Sequence, residues 1–394
     1  MKLAVVGMGN AGSKVTDRLL EFEADTGRSL VSSVLAINSA SVDLARLSYV
    51  PSENRLLLGQ TNQKVKGHGA GGDPDLGATV TRADMAEIER SMDGIPVHEI
   101  DGFLVVAGLG GGTGSGGAPV LARRLGEIYD EPVFGLGIIP GTDEGGRASL
   151  NAARSLQSFA DATDNLIAFD NDAWRGTTDS LSAGYERTNW ELARRMVTLL
   201  AAGEMDGSRI SETAMDSSDI RRTLATGGIS TVAYSEAPIE ESTREQRSLL
   251  GRLSMNGDAG QSEGELATKV HGLVRKAVQS RLTCPAEVAS AERSLIVISG
   301  PPEELSRKGL ERSRKWLEEV TGSAETMAGD DPRDGAQALS AVVLLSNVTD
   351  VPRIDALQQQ AVTAQENIDE QAHDRESEIE ELVTDERGDL DPIT

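Results

Sequence analysis

The residues of this chain most able to do chemistry are glycines. Positions 110–116 read Gly110-Gly111-Gly112-Thr113-Gly114-Ser115-Gly116, five glycines in seven places. Such a run is entropically costly unless backbone amides must approach something closely. Consecutive N–H groups form a concave anion site, and Thr113 and Ser115 add hydroxyl donors. A second loop, Gly7-Met8-Gly9-Asn10-Ala11-Gly12, matches G-x-G-x-x-G between a strand and a helix. There the helix N-terminus offers unpaired N–H groups to a diphosphate. No Lys follows the 110–116 run, and G-x-x-x-x-G-K-[ST] occurs nowhere, so any phosphate chemistry rests on amides rather than on a Walker lysine.

The first loop alone invites a nicotinamide dehydrogenase. Such an enzyme holds the ribose with an Asp or Glu at the end of the second strand, where this chain has Asn38. Asn can still bond a hydroxyl, so an NAD-dependent Rossmann enzyme stays open, although it leaves the second loop unexplained. Two carboxylates stand far along the chain, in Met215-Asp216-Ser217-Ser218-Asp219. Locally they read as a helix start, with Asp216 as N-cap and Asp219 in the first turn.

These residues need a scaffold, and the first 150 positions supply the pattern for one. Short apolar runs alternate with helical periodicity, the mark of a parallel sheet with crossover helices. Strands are expected at 2–6, 31–38, 102–107 (ending before Gly108), 132–139 and 165–169. Helices are expected at 13–25, 81–93, 118–129 and 150–162. A long helix over 182–202 puts Tyr185, Asn189, Leu192, Met196 and Leu199 on one side. Beyond it, a short helix (216–225), a strand (229–234), a helix (265–282), a strand (295–299), a helix (302–320) and a strand (339–346) form a smaller α/β unit. Between them, 235–263 reads as a long polar loop. The expected division is a nucleotide domain over 1–181, a connecting helix over 182–203, a second domain over 204–350 and a tail over 351–394. From Glu366 to Asp391 there are twelve Asp or Glu against Arg375 and Arg387, which predicts a disordered, solvated end with a transient helix over 369–383.

Composition narrows the function further. A formal net charge of −25 argues against nucleic acid as a partner, because nothing would neutralise its phosphates. Arginine is favoured over lysine, and acids are spread throughout, as suits a protein working in high salt. Neither a signal peptide nor an apolar stretch of membrane-spanning length is evident. One cysteine, Cys284, excludes an internal disulfide framework and fits a reducing cytoplasm.

The glycine run after a buried strand resembles the signature of the tubulin and FtsZ superfamily of GTPases, and other motifs follow in that family's order over residues 1–350. Gly7 to Gly12 resembles its first phosphate loop, and Asn38 its polar residue after the second strand. Gly69-Ala70-Gly71-Gly72-Asp73-Pro74 is similar to the loop that senses the γ-phosphate, with His68 beside it and Asp73 as a candidate Mg²⁺ contact. Glu144-Gly145-Gly146-Arg147 resembles the E-G-x-R element, which implies Glu144 at the ribose and Arg147 near base or phosphates. Asn171 matches the guanine-reading position. The resemblance also implies that Tyr185 stacks on guanine and that Asn189 bonds its edge. Asp216 and Asp219 match acidic residues that enter the next subunit's site, so GTP hydrolysis would depend on head-to-tail contact. Asn189 in place of Asp, Gly141-Thr142-Asp143 in place of a Pro-Phe element, and the tail's lack of an apolar terminal peptide make the chain most like the archaeal CetZ branch. That branch implies control of cell shape, in the cytoplasm or in cortical filaments, with the 235–263 loop making lateral contacts. A GTP-binding scaffold with slow hydrolysis is the second reading.

Overall fold

A computed structural model describes residues 1–174, 181–204, 214–239 and 259–384. The chain order is β1 (Leu3–Met8), α1 (Gly9–Thr26), β2 (Val31–Asn38), α2 (Ser41–Ala45), β3 (Arg55–Leu57), α3 (Pro74–Ala83), α4 (Met85–Met92), β4 (Gly102–Gly108), α5 (Thr113–Ile128), β5 (Val133–Ile139), α6 (Gly146–Ala160), β6 (Asn165–Asp170) and α7 (Asn171–Trp174). Then follow α8 (Leu181–Leu200), α9 (Ser217–Leu224), β7 (Ile229–Pro238), α10 (Ala259–Gln279), β8 (Ala291–Gly300), α11 (Arg307–Thr321), β9 (Glu325–Pro332), β10 (Ala338–Val348) and α12 (Pro352–Thr384).

The strands lie in the order β3-β2-β1-β4-β5-β6-β7-β10-β8-β9. The first six are parallel, and β7 joins them in parallel through only Leu166↔Ile229 and Ile167↔Ser230. β10 then runs antiparallel between β7 and β8. The two α/β units expected from sequence are thus one continuous sheet, because β7 serves both. Alternate residues of β1 face opposite layers. Ala4, Val6 and Met8 belong to the apolar layer that also holds residues of α3 to α6, α10 and α11, while Leu3 and Val5 belong to the layer on the other face, with residues of α1, α8 and α9. Period-two alternation with both faces apolar is what a sheet covered on both sides requires.

Several elements differ from the sequence reading. The expected 81–93 helix is two helices, α3 and α4. They break at Asp84, whose carboxylate accepts from the Gly59 amide at 2.6 Å. β9 was missed because Gly329-Asp330-Asp331-Pro332 looks like a turn. Asp331 is fully buried, and Arg28 (2.9 Å) and Arg333 (3.0 Å) neutralise it. Positions 235–238 extend β7, in register with β10 up to Pro238↔Ala338, and Ala259 onward is α10. Residues 240–258, the rest of the expected loop, lie outside the described residues.

The largest correction concerns the tail. Positions 352–384 are helical, where a disordered tail from 351 with only a transient helix over 369–383 was expected. Leu357, Ala361 and Ala364 recur at helical spacing and are buried, and α12 packs across α6, with the Ala364 methyl against Gly146. The acid-rich composition after Glu366 hid this apolar stripe immediately before it.

Candidate nucleotide site

The site forms where the connection pattern reverses. β1 lies between β2 and β4, so crossover helices leave to opposite faces and a crevice opens at the strands' carboxyl ends. A cleft of about 340 Å³ lies there, within the range of small-molecule sites. Its walls include Gly9, Asn10, Ala11, Asn38, Ala70, Gly72, Gly108, Gly110, Gly111, Gly112, Thr113, Gly114, Glu144 and Asn171. Fourteen predicted site residues, scattered between Gly9 and Asn171, are therefore brought together.

Two helices point their N-termini into this cleft. α1 begins at Gly9, and α5 begins at Thr113 inside the glycine run. Both starts are earlier than periodicity suggested, because glycine's poor helix propensity masks a helix whose first turn must be lean. Neither helix has a side-chain cap or an acid in its first turn, so their leading N–H groups and positive dipole ends remain available to an anion. By contrast, Asp73 caps α3 by accepting from the amides of Asp75 (2.9 Å) and Leu76 (3.2 Å).

The glycines divide into two kinds. Gly111 has no atom within 4 Å of a built Cβ and faces open space. Gly9, with φ of +74°, brings the two loops together, since a Cβ there would lie 2.7 Å from the Gly114 nitrogen. Gly7, Gly12 and Gly116 serve packing. A Cβ at Gly12 would lie 2.1 Å from the Val106 oxygen, and one at Gly116 would lie 1.9 Å from the Pro74 oxygen. These positions seat α1 on β4 and α3 on α5, and none of the three lines the cleft. Ser115 likewise turns inward. Its hydroxyl donates to the carbonyls of Gly111 and Gly112 (3.3 Å to the latter), so it braces the loop instead of presenting a donor to the cleft.

Neighbouring loops are stitched onto this frame. Thr113 Oγ1 lies 2.6 Å from Ser39 Oγ, and Asn38 Oδ1 accepts from the Ser39 amide at 2.8 Å. Ala40 and His68 form an isolated bridge, and Gly69 donates to Ser39 O at 3.0 Å. Loop 67–73 is thereby fastened to the end of β2. On the opposite wall, Glu144 Oε1 accepts from the amide of Gly141 (2.8 Å) and from Asn171 Nδ2 (3.4 Å). Arg147 is exposed beside loop 69–73, near Gly72. Gly71 is exposed and does not line the cleft, and the half-buried Tyr185 and Asn189 of α8 are not among its walls either.

Sequence reasoning missed several wall residues, including Ala40, Asp43 and Pro140. It also missed two supports. Arg353 at the start of α12 reaches Asp170 Oδ1 (2.9 Å) and Pro140 O (2.9 Å). Burial raises the Asp170 carboxyl above the usual carboxylate range, and Arg353 opposes that rise. Asn151, on α6, is buried behind the glycine loop. Only its spacing of four from Arg147 hinted at a role.

Asp216 and Asp219 stand elsewhere. Asp216 Oδ1 caps α9, accepting from the amides of Ser218 (2.6 Å) and Asp219 (3.2 Å). Ser217 Oγ donates to Asp101 at 3.2 Å, and Asp101 immediately precedes β4, at the strand ends opposite the cleft. Hydrogen bonding from Ser218 holds the Asp216 carboxyl below the ordinary range, whereas burial and the Asp216 charge push Asp219 above it. One group is held ionised beside another that is readier to take a proton.

A doubly wound sheet with two uncapped glycine helices facing one cleft, and an acidic pair at the far end of the same strands, defines a nucleoside-phosphate-binding protein of the tubulin/FtsZ kind. Comparison with known proteins agrees. Residues 2–179 match the Tubulin/FtsZ family GTPase domain, and residues 178–363 match the Tubulin-like CetZ C-terminal domain. The chain is 51% identical to tubulin-like protein CetZ1 of Haloferax volcanii over 374 residues, 94% of each. The GDP-bound CetZ1 monomer from that organism superposes with a TM-score of 0.81 at 48% identity, covering 93% of this chain and 100% of that one. CetZ2 of the same organism, solved as a GTPγS-bound protofilament, gives 0.81 at 37% identity over 94% of this chain and 100% of that one. This chain belongs to the CetZ family of the tubulin/FtsZ superfamily, and its N-terminal part is a GTPase domain.

Proposed function

We propose that this protein assembles head to tail in a GTP-dependent manner and that a neighbouring copy completes each hydrolytic site. The observation that carries this reading is a separation. The Asp216/Asp219 segment is tied to Asp101, before β4, whereas the cleft begins at Gly108, the last residue of that strand. Seven extended residues span roughly 20 Å, too far for either carboxylate to reach a phosphate in its own cleft. Stacking one subunit on the next along the strand direction brings the acidic pair of one against the cleft of the other. The CetZ2 protofilament supports such an arrangement.

Within that arrangement the amides of Gly9 to Ala11 and Gly110 to Gly114 hold the phosphates and Asn171 reads guanine, while Tyr185 and Asn189, which stand outside the cleft walls, would have to meet the base where it extends beyond them. The split acidities of Asp216 and Asp219 suit the positioning and polarisation of an attacking water. Mg²⁺ would be held through the nucleotide's phosphates and water, and Asp73, the candidate protein contact, already accepts from the Asp75 and Leu76 amides as a helix cap. Bound there, it would offset phosphate charge. Lateral association through 235–263 and a role in cell shape extend the same reading. Removing residues 241–257 is expected to weaken lateral sheets and leave GTP affinity intact.

The test is GTP turnover measured against protein concentration at several salt levels. A shared site requires the specific rate to rise with concentration, and a flat rate would mean that one chain holds the complete site.

A further inference from the structure

Asn151 lies outside the cleft, yet its amide touches both loops that frame the phosphates. Its Nδ2 lies 2.9 Å from Gly72 O, 3.1 Å from Gly110 O and 3.4 Å from Gly111 O. The residue is 6% exposed and sits on α6, a helix anchored by Ser155 Oγ donating to Ser115 O at 2.8 Å. An NH₂ group has two hydrogens, so three carbonyls share them.

The orientation of those carbonyls has a consequence for the cleft. In a trans peptide the C=O and N–H point in opposite directions. Turning Gly110 O and Gly111 O toward Asn151 therefore turns the amides of Gly111 and Gly112 away from it. Both glycines line the cleft. The third carbonyl, Gly72 O, belongs to the neighbouring loop 69–73, which also meets the cleft at Ala70 and Gly72. Among the described residues the cleft walls carry no Lys or Arg, and Arg147 stands beside loop 69–73 near Gly72, so the loop amides are the donors that the walls themselves turn toward a terminal phosphate.

We propose that Asn151 is a positioning residue that locks loop 69–73 to loop 110–112, making the site favour a nucleoside triphosphate over a diphosphate. A terminal phosphate that engages one loop then finds the other already in place. Without the Asn151 donors the 110–112 amides still meet the inner phosphates through α5, but loop 69–73 must be ordered anew by each triphosphate. This inference rests on the cleft being the nucleotide site, as proposed above.

The experiment measures GTPγS and GDP affinities of the full-length chain at concentrations below assembly, for wild type, Asn151→Leu and Asn151→Ser. Asn151→Leu keeps much of the shape and removes the donors without adding charge, and Asn151→Ser retains one short donor. The expected result is a fall in GTPγS affinity of about tenfold for Asn151→Leu, with GDP changed less than about threefold and Asn151→Ser between. Equal loss for both nucleotides would reduce Asn151 to a packing residue and overturn the proposal, as would no loss at all. A second measurement reads the lock directly. Without nucleotide, peptides over 69–73 should exchange their amide hydrogens faster in the Asn151 variant lacking both donors than in the wild-type chain. Equal exchange in the two would also refute the proposal. Failure of the wild-type chain to bind either nucleotide would instead sink the reading of the cleft.

Discussion

Replacing Asp216 with Asn separates its two roles. The cap on α9 uses Oδ1, which accepts from two backbone amides, and Asn offers an equivalent oxygen. Asn and Asp are near-equal caps, so stability should change by less than about 0.5 kcal/mol, whereas Asp216→Ala should cost about 1 kcal/mol. Turnover should behave differently. Removing a group that positions or polarises the attacking water lowers the rate by about 10²- to 10⁴-fold, so Asp216→Asn paired with Asp219→Asn is expected to be folded, competent in GTP binding and almost inactive. A cleft-blocked partner completes the test. Gly111 faces open space, so Gly111→Glu places bulk and negative charge among the phosphates without a clash in the fold. Each variant alone should be inactive. Mixed in equal amounts, a contact is productive only where an intact cleft meets an intact acidic pair. Random order along heterologous contacts restores at most about a quarter of the wild-type rate. Phosphate release from mixtures, with co-pelleting to show that both variants enter the same filaments, reads the outcome. Co-assembly with no recovered turnover at any ratio would refute the shared site.

Other perturbations probe the scaffold. Gly116→Ala drives a methyl to within 1.9 Å of the Pro74 carbonyl and should cost about 1 to 3 kcal/mol in urea denaturation, whereas Gly111→Ala should stay within about 0.5 kcal/mol. Arg353→Met strands the buried Asp170 carboxylate. It should cost about 3 to 5 kcal/mol, with part recovered by adding Asp170→Asn, and a loss below about 1 kcal/mol would show that the pair is not a clamp. The His271 imidazole is pushed below its ordinary value of 6.5 by burial, Arg312 and Arg275. As pH falls below 6.5, the unfolded chain takes up a proton before the folded one does, so stability is lost in that window. A thermal melt between pH 7 and 5 should show the drop, and His271→Gln should flatten it.

The site was legible in outline because its chemistry is carried by backbone. Five glycines in seven positions cost too much chain entropy to persist unless the backbone must come close to something, and a glycine run is as visible in sequence as in space. Its internal division was not legible. Gly12, Gly111 and Gly116 are identical residues, and only the approach of Val106 O or Pro74 O shows which of them seat helices and which faces the cleft. Ser115 misled for a related reason, since its hydroxyl had a local carbonyl to satisfy before any ligand. Supports such as Asn151 and Arg353 lie 41 and 213 residues from the carbonyls they hold, beyond the reach of any local pattern.

The sequence by itself determined the parallel-sheet class, the two glycine loops and the acidic pair, because local periodicity, backbone entropy and capping chemistry act over a few residues. Only the tertiary structure decided the distance between the acidic pair and the cleft. Both attach to β4, at opposite ends, and strand length then converts two motifs of one chain into halves of sites that a neighbour completes in the proposed assembly. It also decided that the start of the 352–384 helix packs, because the apolar stripe at Leu357, Ala361 and Ala364 gains its value from α6, whose Ser149 lies 211 positions before Gln360.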